Sequence, residues 1–307
     1  MSRSSLSGKV SAFAAAWLAG CVPIRAANQE IRLRHDADHD TLEALILYDG
    51  IQAEPQSGFF GSDDGVRRGL EFIQNALARR REFVLFGWLD LDLEKPFPEL
   101  SPEEAEDWGK FKEEATQCSS LVSVASSGLL RGPDGRLGLF QEVRIREVSR
   151  LVHLANLGIW SWIDEAVRRS WFDESSMHDV DASTRRMWAD LARERRPVLT
   201  LDARGFAIEF PMSASSATRM LAEASRDASK DPGFARSLAS FLSSLSELRI
   251  EGDRVRMQWR WPLTPISLPM QEDVSFEDKL ALSIPVSDRD PIRVQLRDAV
   301  VARFENR

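Results

Sequence analysis

Hydrophobic and polar positions along this chain repeat with two periods, one typical of strands and one of helices. Period-two alternation and short apolar runs predict strands over residues 30–34, 42–51, 82–93, 121–130, 137–143, 198–201, 206–210 and 292–296, and a hairpin over residues 248–261. Apolar residues three and four apart predict helices over residues 63–81, 146–169, 182–195, 213–230 and 232–244, and Ser101-Pro102 marks another helix start.

Turn residues join several of these predicted strands into pairs. Gly132–Gly135, Asp202–Gly205 and Glu251–Asp253 each separate two strand patterns by a few residues that favour tight turns. Strand pairs interspersed with helices, without strict alternation of strand and helix, are typical of an α+β fold. We therefore predict an α+β protein with mainly antiparallel strand pairs and amphipathic helices between them.

The first 21 residues differ in pattern from everything that follows. Residues 1–9 are polar, with positive charge at Arg3 and Lys9 and no acid, and residues 10–20 are uncharged and rich in alanine. At 1.5 Å per residue this run is too short for a hydrocarbon core of ~30 Å. It has the length of the apolar region of an export signal, which is about 7–15 residues.

The run ends in Leu18-Ala19-Gly20-Cys21, which resembles the lipobox of bacterial lipoproteins at all four positions. The resemblance covers residues 1–21 only. It implies export, recognition of Leu18, Ala19 and Gly20 by signal peptidase II, cleavage before Cys21, and acylation of the Cys21 thiol. In a bacterium with two membranes, Val22 in place of Asp implies transfer to the outer membrane. Two or three acyl chains anchor a protein firmly, because each buried methylene contributes about 0.8 kcal/mol.

These patterns divide the chain into four segments. The signal covers residues 1–20, and residues 21–29 are the lipidated cysteine and a short tether. Residues 30–261 form the α+β domain, in which the polar, aperiodic stretch at 172–182 is a candidate internal boundary. Residues 262–307 form a C-terminal segment interrupted by Pro262, Pro265 and Pro269.

The composition restricts the kinds of partner that the protein can bind. The chain is 43% hydrophobic and 8% aromatic, which is ample for a core, and its net charge is −8. An acidic exterior argues against nucleic acid, whose phosphates favour a basic surface. Cys118 is the other cysteine, so acylation of Cys21 leaves no internal disulfide.

The sharpest candidate for chemistry is a polar cluster between the first two predicted strands, formed by His35, Asp36, Asp38, His39 and Asp40. On a helix the two histidines would share a face and could chelate a divalent metal. In a loop the aspartates imitate the start of a calcium site, but Thr41 and Leu47 stand where that motif needs Gly and Glu. The alternative is a polar turn whose aspartates accept hydrogen bonds from backbone amides.

A second candidate is a basic stripe on the last predicted hairpin. Alternation there directs Val255, Met257, Trp259 and Trp261 inward and leaves an outward row that consists of Arg249, Arg254, Arg256 and Arg260. Such a row fits an acidic partner, a lipid headgroup or an anionic glycan, and the alternative is a solvated face.

Two functional hypotheses follow from different classes. The sequence contains no nucleophile elbow, phosphate-binding loop, dinucleotide fingerprint or His-Glu-x-x-His motif. The leading hypothesis is a non-enzymatic, lipid-anchored envelope protein without a cofactor, which binds an envelope protein or glycan close to the membrane. The alternative is an envelope hydrolase or metal-binding protein that uses residues 35–40.

Overall fold

The computed structural model describes residues 24–53, 75, 77–85, 89–94, 111–132, 135–168, 181–230, 232–269, 280–281 and 294–307. The export signal with Cys21, most of the helix predicted over residues 63–81, the helix start at Ser101 and most of the candidate boundary at 172–182 lie outside the described residues.

The described secondary structure alternates strand pairs with helices. The strands are β1 (Ile24–Asp36), β2 (Thr41–Ala53), β3 (Glu82–Leu85), β4 (Leu89–Asp92), β5 (Val122–Arg131), β6 (Leu137–Arg146), β7 (Leu199–Asp202), β8 (Gly205–Pro211), β9 (Glu247–Glu251), β10 (Arg254–Arg260), β11 (Ile266–Pro269), β12 (Leu280–Ala281) and β13 (Val294–Leu296). The helices are α1 (Phe111–Ser120), α2 (Val148–Arg168), α3 (Ala182–Arg193), α4 (Ala214–Lys230), α5 (Pro232–Ser244) and α6 (Arg297–Glu305).

The first sheet has the strand order β11-β1-β2-β6-β5-β13, and β12 pairs with the end of β2. All of its pairs are antiparallel except β13 with β5. One face packs against α6 through the buried side chains of Leu45, Leu47, Leu130, Phe140, Val300, Val301 and Phe304. The opposite face packs against Leu77 and against Phe83 of the β3–β4 hairpin. Both faces are covered because β2 alternates two sets of apolar residues, one on each side.

The second sheet is antiparallel with the order β7-β8-β10-β9. Its apolar face packs against α2, α3 and the start of α4, around a core formed by Trp160, Ile163, Trp188, Leu191, Ala192, Val198, Met212 and Ala217. Gly252 closes the β9–β10 turn with φ 56°, a conformation that glycine adopts without strain. The other face of this sheet is polar.

The two sheets meet beside β1. β11 pairs with β1 and also contacts α5, which belongs to the second sheet's half of the chain. The ring of Trp261, just after β10, stacks on the ring of His35 with a centroid distance of 5.4 Å. The C-terminal segment therefore returns to complete the first sheet.

The α+β prediction is confirmed, and two local predictions are wrong. β1 begins at Ile24 instead of Glu30, so residues 24–29 of the expected tether are a strand paired with β2. The strand predicted over residues 82–93 is two strands, β3 and β4, that form a hairpin. Its apolar run is nearly continuous, so alternation alone did not reveal the reversal between them.

Candidate functional site

The polar cluster of residues 35–40 forms the turn between β1 and β2. His39 Nδ1 lies 2.7 Å from Asp36 Oδ2, and the backbone N–H of His39 donates to Asp36 Oδ1 at 3.2 Å. The side-chain hydrogen bond from His39 lowers the pKa of Asp36. Both side chains are exposed, and Asp38 is exposed beside them.

The other members of the cluster contact distant parts of the chain. Asp40 Oδ1 accepts hydrogen bonds from the backbone N–H of Ser149 at 3.0 Å and from its hydroxyl at 2.8 Å. The N–H of Val148 donates to the carbonyl of Asp40 at 3.0 Å. Asp40 thus satisfies free amides at the N-terminus of α2, as an N-cap residue does. His35 instead stacks on Trp261.

The five predicted ligands therefore do not converge. The structure brings Asp36 and His39 together and directs Asp40 and His35 to other partners. Among the described residues, no group of three or more His, Cys, Asp or Glu side chains could hold a metal ion. The geometry matches the alternative interpretation, a polar turn that fixes the start of α2.

The four predicted arginines do share one surface, the polar face of the second sheet. Two glutamates lie among them. Glu209 accepts from Arg254 Nη1 at 3.2 Å and lies 3.7 Å from Arg256 Nη1, and Glu247 pairs with Arg249 and, at 3.5 Å, with Arg260. All four arginine side chains are exposed to solvent.

The register of this sheet places Arg249 directly opposite Arg256. Like charges in opposite positions of a strand pair are destabilising, and the neighbouring glutamates offset part of this repulsion. A guanidinium group presents planar donors that match a carboxylate or a phosphate. We name the surface of Arg249, Arg254, Arg256 and Arg260 the arginine face; its chemistry suits an anionic partner.

The starts of α3 and α4 were predicted from the sequence, but the contact between them was not. Asp181 Oδ1 caps α3 by accepting from the N–H of Thr184 at 2.8 Å, while its Oδ2 accepts from the hydroxyls of Ser213 and Ser215. In return, Ser216 Oγ accepts from the N–H of Asp181 at 3.1 Å. Hydrogen bonds from Ser213 and Ser215 lower the pKa of Asp181 well below its usual range. The sequence contained a capping residue at the start of each helix, Asp181 and Ser213. It did not reveal their contact, because they lie more than thirty residues apart in the chain.

A second polar group, which was not predicted from the sequence, joins α6 to the first sheet. Arg297 Nη2 lies 2.6 Å from Glu30 Oε2, and its Nε lies 3.2 Å from Asp49 Oδ1. Burial alone would lower the pKa of Arg297, but the charges of Asp49 and Glu30 outweigh it and raise the pKa. Buried Glu142 accepts from Arg303 at 3.1 Å and from Arg307 at 2.9 Å. These ion pairs hold the last helix on the sheet.

Leu18, Ala19, Gly20 and Cys21 lie outside the described residues, and Cys118 is half-buried at the end of α1. In the described part of the chain, no helix is both long enough and apolar enough to cross a membrane. A scan against models of protein families, a search of curated proteins and a search of solved structures found no match to this chain.

Proposed function

We propose that this protein is a lipoprotein of the bacterial cell envelope, anchored by acyl chains on Cys21, and that its folded part is a non-enzymatic binding or structural module. The observation that carries the proposal is the tetrapeptide Leu18-Ala19-Gly20-Cys21 at the end of a basic and then apolar segment. Val22 after the cysteine favours the outer membrane where there are two membranes.

The position of β1 supports close attachment. Val22 and Pro23 are the residues between Cys21 and the first residue of β1. Three extended residue steps of ~3.3–3.6 Å span about 10 Å. A tether over residues 22–29 would span about 26 Å, more than twice as far. An acylated Cys21 would hold the start of β1 at the membrane surface.

The long β1–β2 hairpin then carries the rest of the protein away from that point. Its 13-residue strands are about 43 Å long at ~3.3 Å per residue. His35 lies at the far end and stacks on Trp261, which follows β10 of the second sheet. The arginine face therefore belongs to the half of the molecule that the hairpin turn contacts. An envelope protein or glycan with carboxylates or phosphates fits this surface, without any cofactor.

The polar clusters of the described residues support a binding module more than a hydrolase. The turn at residues 35–40 caps α2, and Asp181 with Ser213 caps α3 and α4. Glu142 and Arg297 fix α6. Asp40, Asp181, Ser213, Glu142 and Arg297 are therefore engaged in contacts that hold elements together.

The anchor is tested in a bacterial host by replacing each cysteine of the full chain. We expect the wild-type protein and Cys118→Ala to incorporate radiolabelled palmitate, to lose residues 1–20 and to sediment with membranes. Cys21→Ala should remain unlabelled and uncut, because only a thiol at that position accepts the acyl group. Labelling or cleavage of Cys21→Ala would overturn the anchor, and mass spectrometry of the N-terminal peptide identifies the cut.

The non-enzymatic part is tested with the detergent-solubilised mature protein. We expect no turnover when it is incubated with peptidoglycan and other envelope polymers, with or without added Zn²⁺. Turnover that disappears in Asp36→Ala/His39→Ala but persists in Asp227→Ala, an exposed acid on α4 outside the cluster, would replace the binding module by the hydrolase.

A further inference from the structure

The last strand of the second sheet, β9, lies at its edge. Within the part of the chain that the structure describes, the strand paired with β9 is β10. In an antiparallel pair every second residue directs its N–H and C=O away from the partner strand. An edge strand can therefore accept another strand through these outward groups.

An apolar patch adjoins this edge. Of six large hydrophobic side chains exposed among the described residues, five lie on β9, α4 and α5: Met220 (45%), Leu221 (45%), Leu242 (41%), Leu248 (42%) and Ile250 (38%). α4 contacts both α5 and β9, so the three elements form one surface. Concentrated exposed apolar residues are typical of a protein–protein contact.

The sequence of β9 is complementary to itself. Along Glu247-Leu248-Arg249-Ile250-Glu251, acid, apolar, base, apolar and acid positions follow one another. In an antiparallel pair of two such strands, residues opposite each other lie on the same face. A pairing centred on Leu248 or on Ile250 places each Arg249 opposite a glutamate of the other strand. A pairing centred on Arg249 places like charges opposite each other, which is destabilising.

We infer that β9 pairs antiparallel with β9 of a second copy of this chain, so that two four-stranded sheets join across a two-fold axis. The axis is perpendicular to the sheet, so the apolar side of each copy lies beside that of the other. Leu248 and Ile250 then pack across the axis, flanked by Met220, Leu221 and Leu242. Arg249 and its glutamate partners pair on the opposite side.

Charge complementarity is the reason for choosing a second copy as the occupant. Charged residues on a short edge strand normally prevent association with unrelated strands. Here acidic and basic residues alternate along the strand. They oppose the pairing centred on Arg249 and favour the pairings centred on Leu248 and on Ile250. Two-fold symmetric dimers, in which the same surface is used twice, are also the commonest oligomers.

The test is cysteine cross-linking of the detergent-solubilised full chain in a Cys118→Ala background. Opposite residues of a strand pair have Cβ atoms ~4.5–5.5 Å apart, so the residue on the two-fold axis can cross-link to itself. We expect Leu248→Cys or Ile250→Cys to give a covalent dimer of twice the monomer mass with a short bis-maleimide reagent, because this separation exceeds the ~3.5–4.5 Å that a disulfide needs. Thr200→Cys, exposed on the opposite edge strand β7, is the matched control and should remain monomeric.

Charge reversal separates this pairing from random collision. Arg249→Glu should reduce cross-linking to the level of the Thr200→Cys control. Adding Glu247→Arg should restore it if the axis passes through Leu248, and adding Glu251→Arg should restore it if the axis passes through Ile250. Circular dichroism checks that each variant is folded. Equal cross-linking of Thr200→Cys, an absence of cross-linking at both β9 positions, or insensitivity to Arg249→Glu would overturn the dimer.

Discussion

Replacing Asn156 with alanine removes four hydrogen bonds, three of which join α2 to Val198 and Leu199 at the start of β7. Asn156 Oδ1 accepts from the N–H groups of Val198 at 2.8 Å and Leu199 at 2.9 Å. Its Nδ2 donates to the carbonyls of Leu199 at 2.8 Å and Val152 at 3.0 Å. Asn156 is buried, and Val198 is fully buried beside it. Among the described residues, β7 is paired with a strand on one side only, and the Asn156 side chain takes the place of a strand partner on the other side.

The expected loss follows from the groups that remain without partners. Alanine leaves the N–H groups of Val198 and Leu199 and the carbonyl of Leu199 without these hydrogen bonds. Each such buried group costs about 1–3 kcal/mol. Leu199 is only half-buried, so water can reach part of its backbone and reduce the penalty. We expect a loss of about 3–5 kcal/mol, a large fraction of the ~5–15 kcal/mol that stabilises a typical domain.

Urea unfolding followed by tryptophan fluorescence measures this loss. Trp160 and Trp188 belong to the core that Asn156 borders, so unfolding of the second sheet contributes to the signal. Asn75→Ala is the control, because Asn75 is exposed and its truncation should change stability by less than about 0.5 kcal/mol. An Asn156→Ala midpoint that matches the control would refute the role of this hydrogen-bonded bridge.

Three further predictions concern the caps and the last helix. Asp181→Ala should lower the free energy of unfolding by about 1 kcal/mol. Because the folded-state pKa of Asp181 is lowered, its contribution to stability is complete above the unfolded pKa of ~4 and is lost as the pH falls below that value. The melting temperature of the variant should therefore decline less in acid than that of the wild type. Asp40→Ala should lower stability by about 1 kcal/mol in thermal melting while His39→Ala changes it by less than about 0.5, and equal effects would contradict the cap. Phe304→Ala should cost about 3–5 kcal/mol and expose α6 to hydrogen exchange, and unchanged protection of α6 would contradict its packing on the first sheet.

Helices and strands whose hydrophobic periodicity is visible within a short stretch of the chain were predicted from the sequence. The helix predicted over residues 146–169 is α2 at Val148–Arg168, and the hairpin predicted over residues 248–261 is β9–β10. Their periodicity results from one buried face, whose apolar residues are close to one another in the sequence. The same rule placed the four arginines on a single surface, because period two determines the face of a strand whichever partner it has.

Elements defined by distant partners were not predicted. Residues 24–29 have a weak alternating pattern, and they are a strand because they pair with β2 as far as Ala53. β11 has four residues after a proline-rich stretch, and it forms a strand because Ile266 lies opposite Ile31. Such pairing depends on contacts between residues far apart in the chain, which no short window of sequence contains.

The cluster at residues 35–40 shows how the same limit applies to a candidate site. Its composition predicts metal ligands, because histidines and aspartates crowd into one short segment. Yet the hydrogen-bond partner of Asp40 is Ser149, 109 residues away, and the ring partner of His35 is Trp261. Asp36 and His39 bond to each other, as residues three apart in a turn can. The fold therefore gives Asp40 and His35 distant partners, and only the Asp36–His39 contact could be predicted from neighbouring residues.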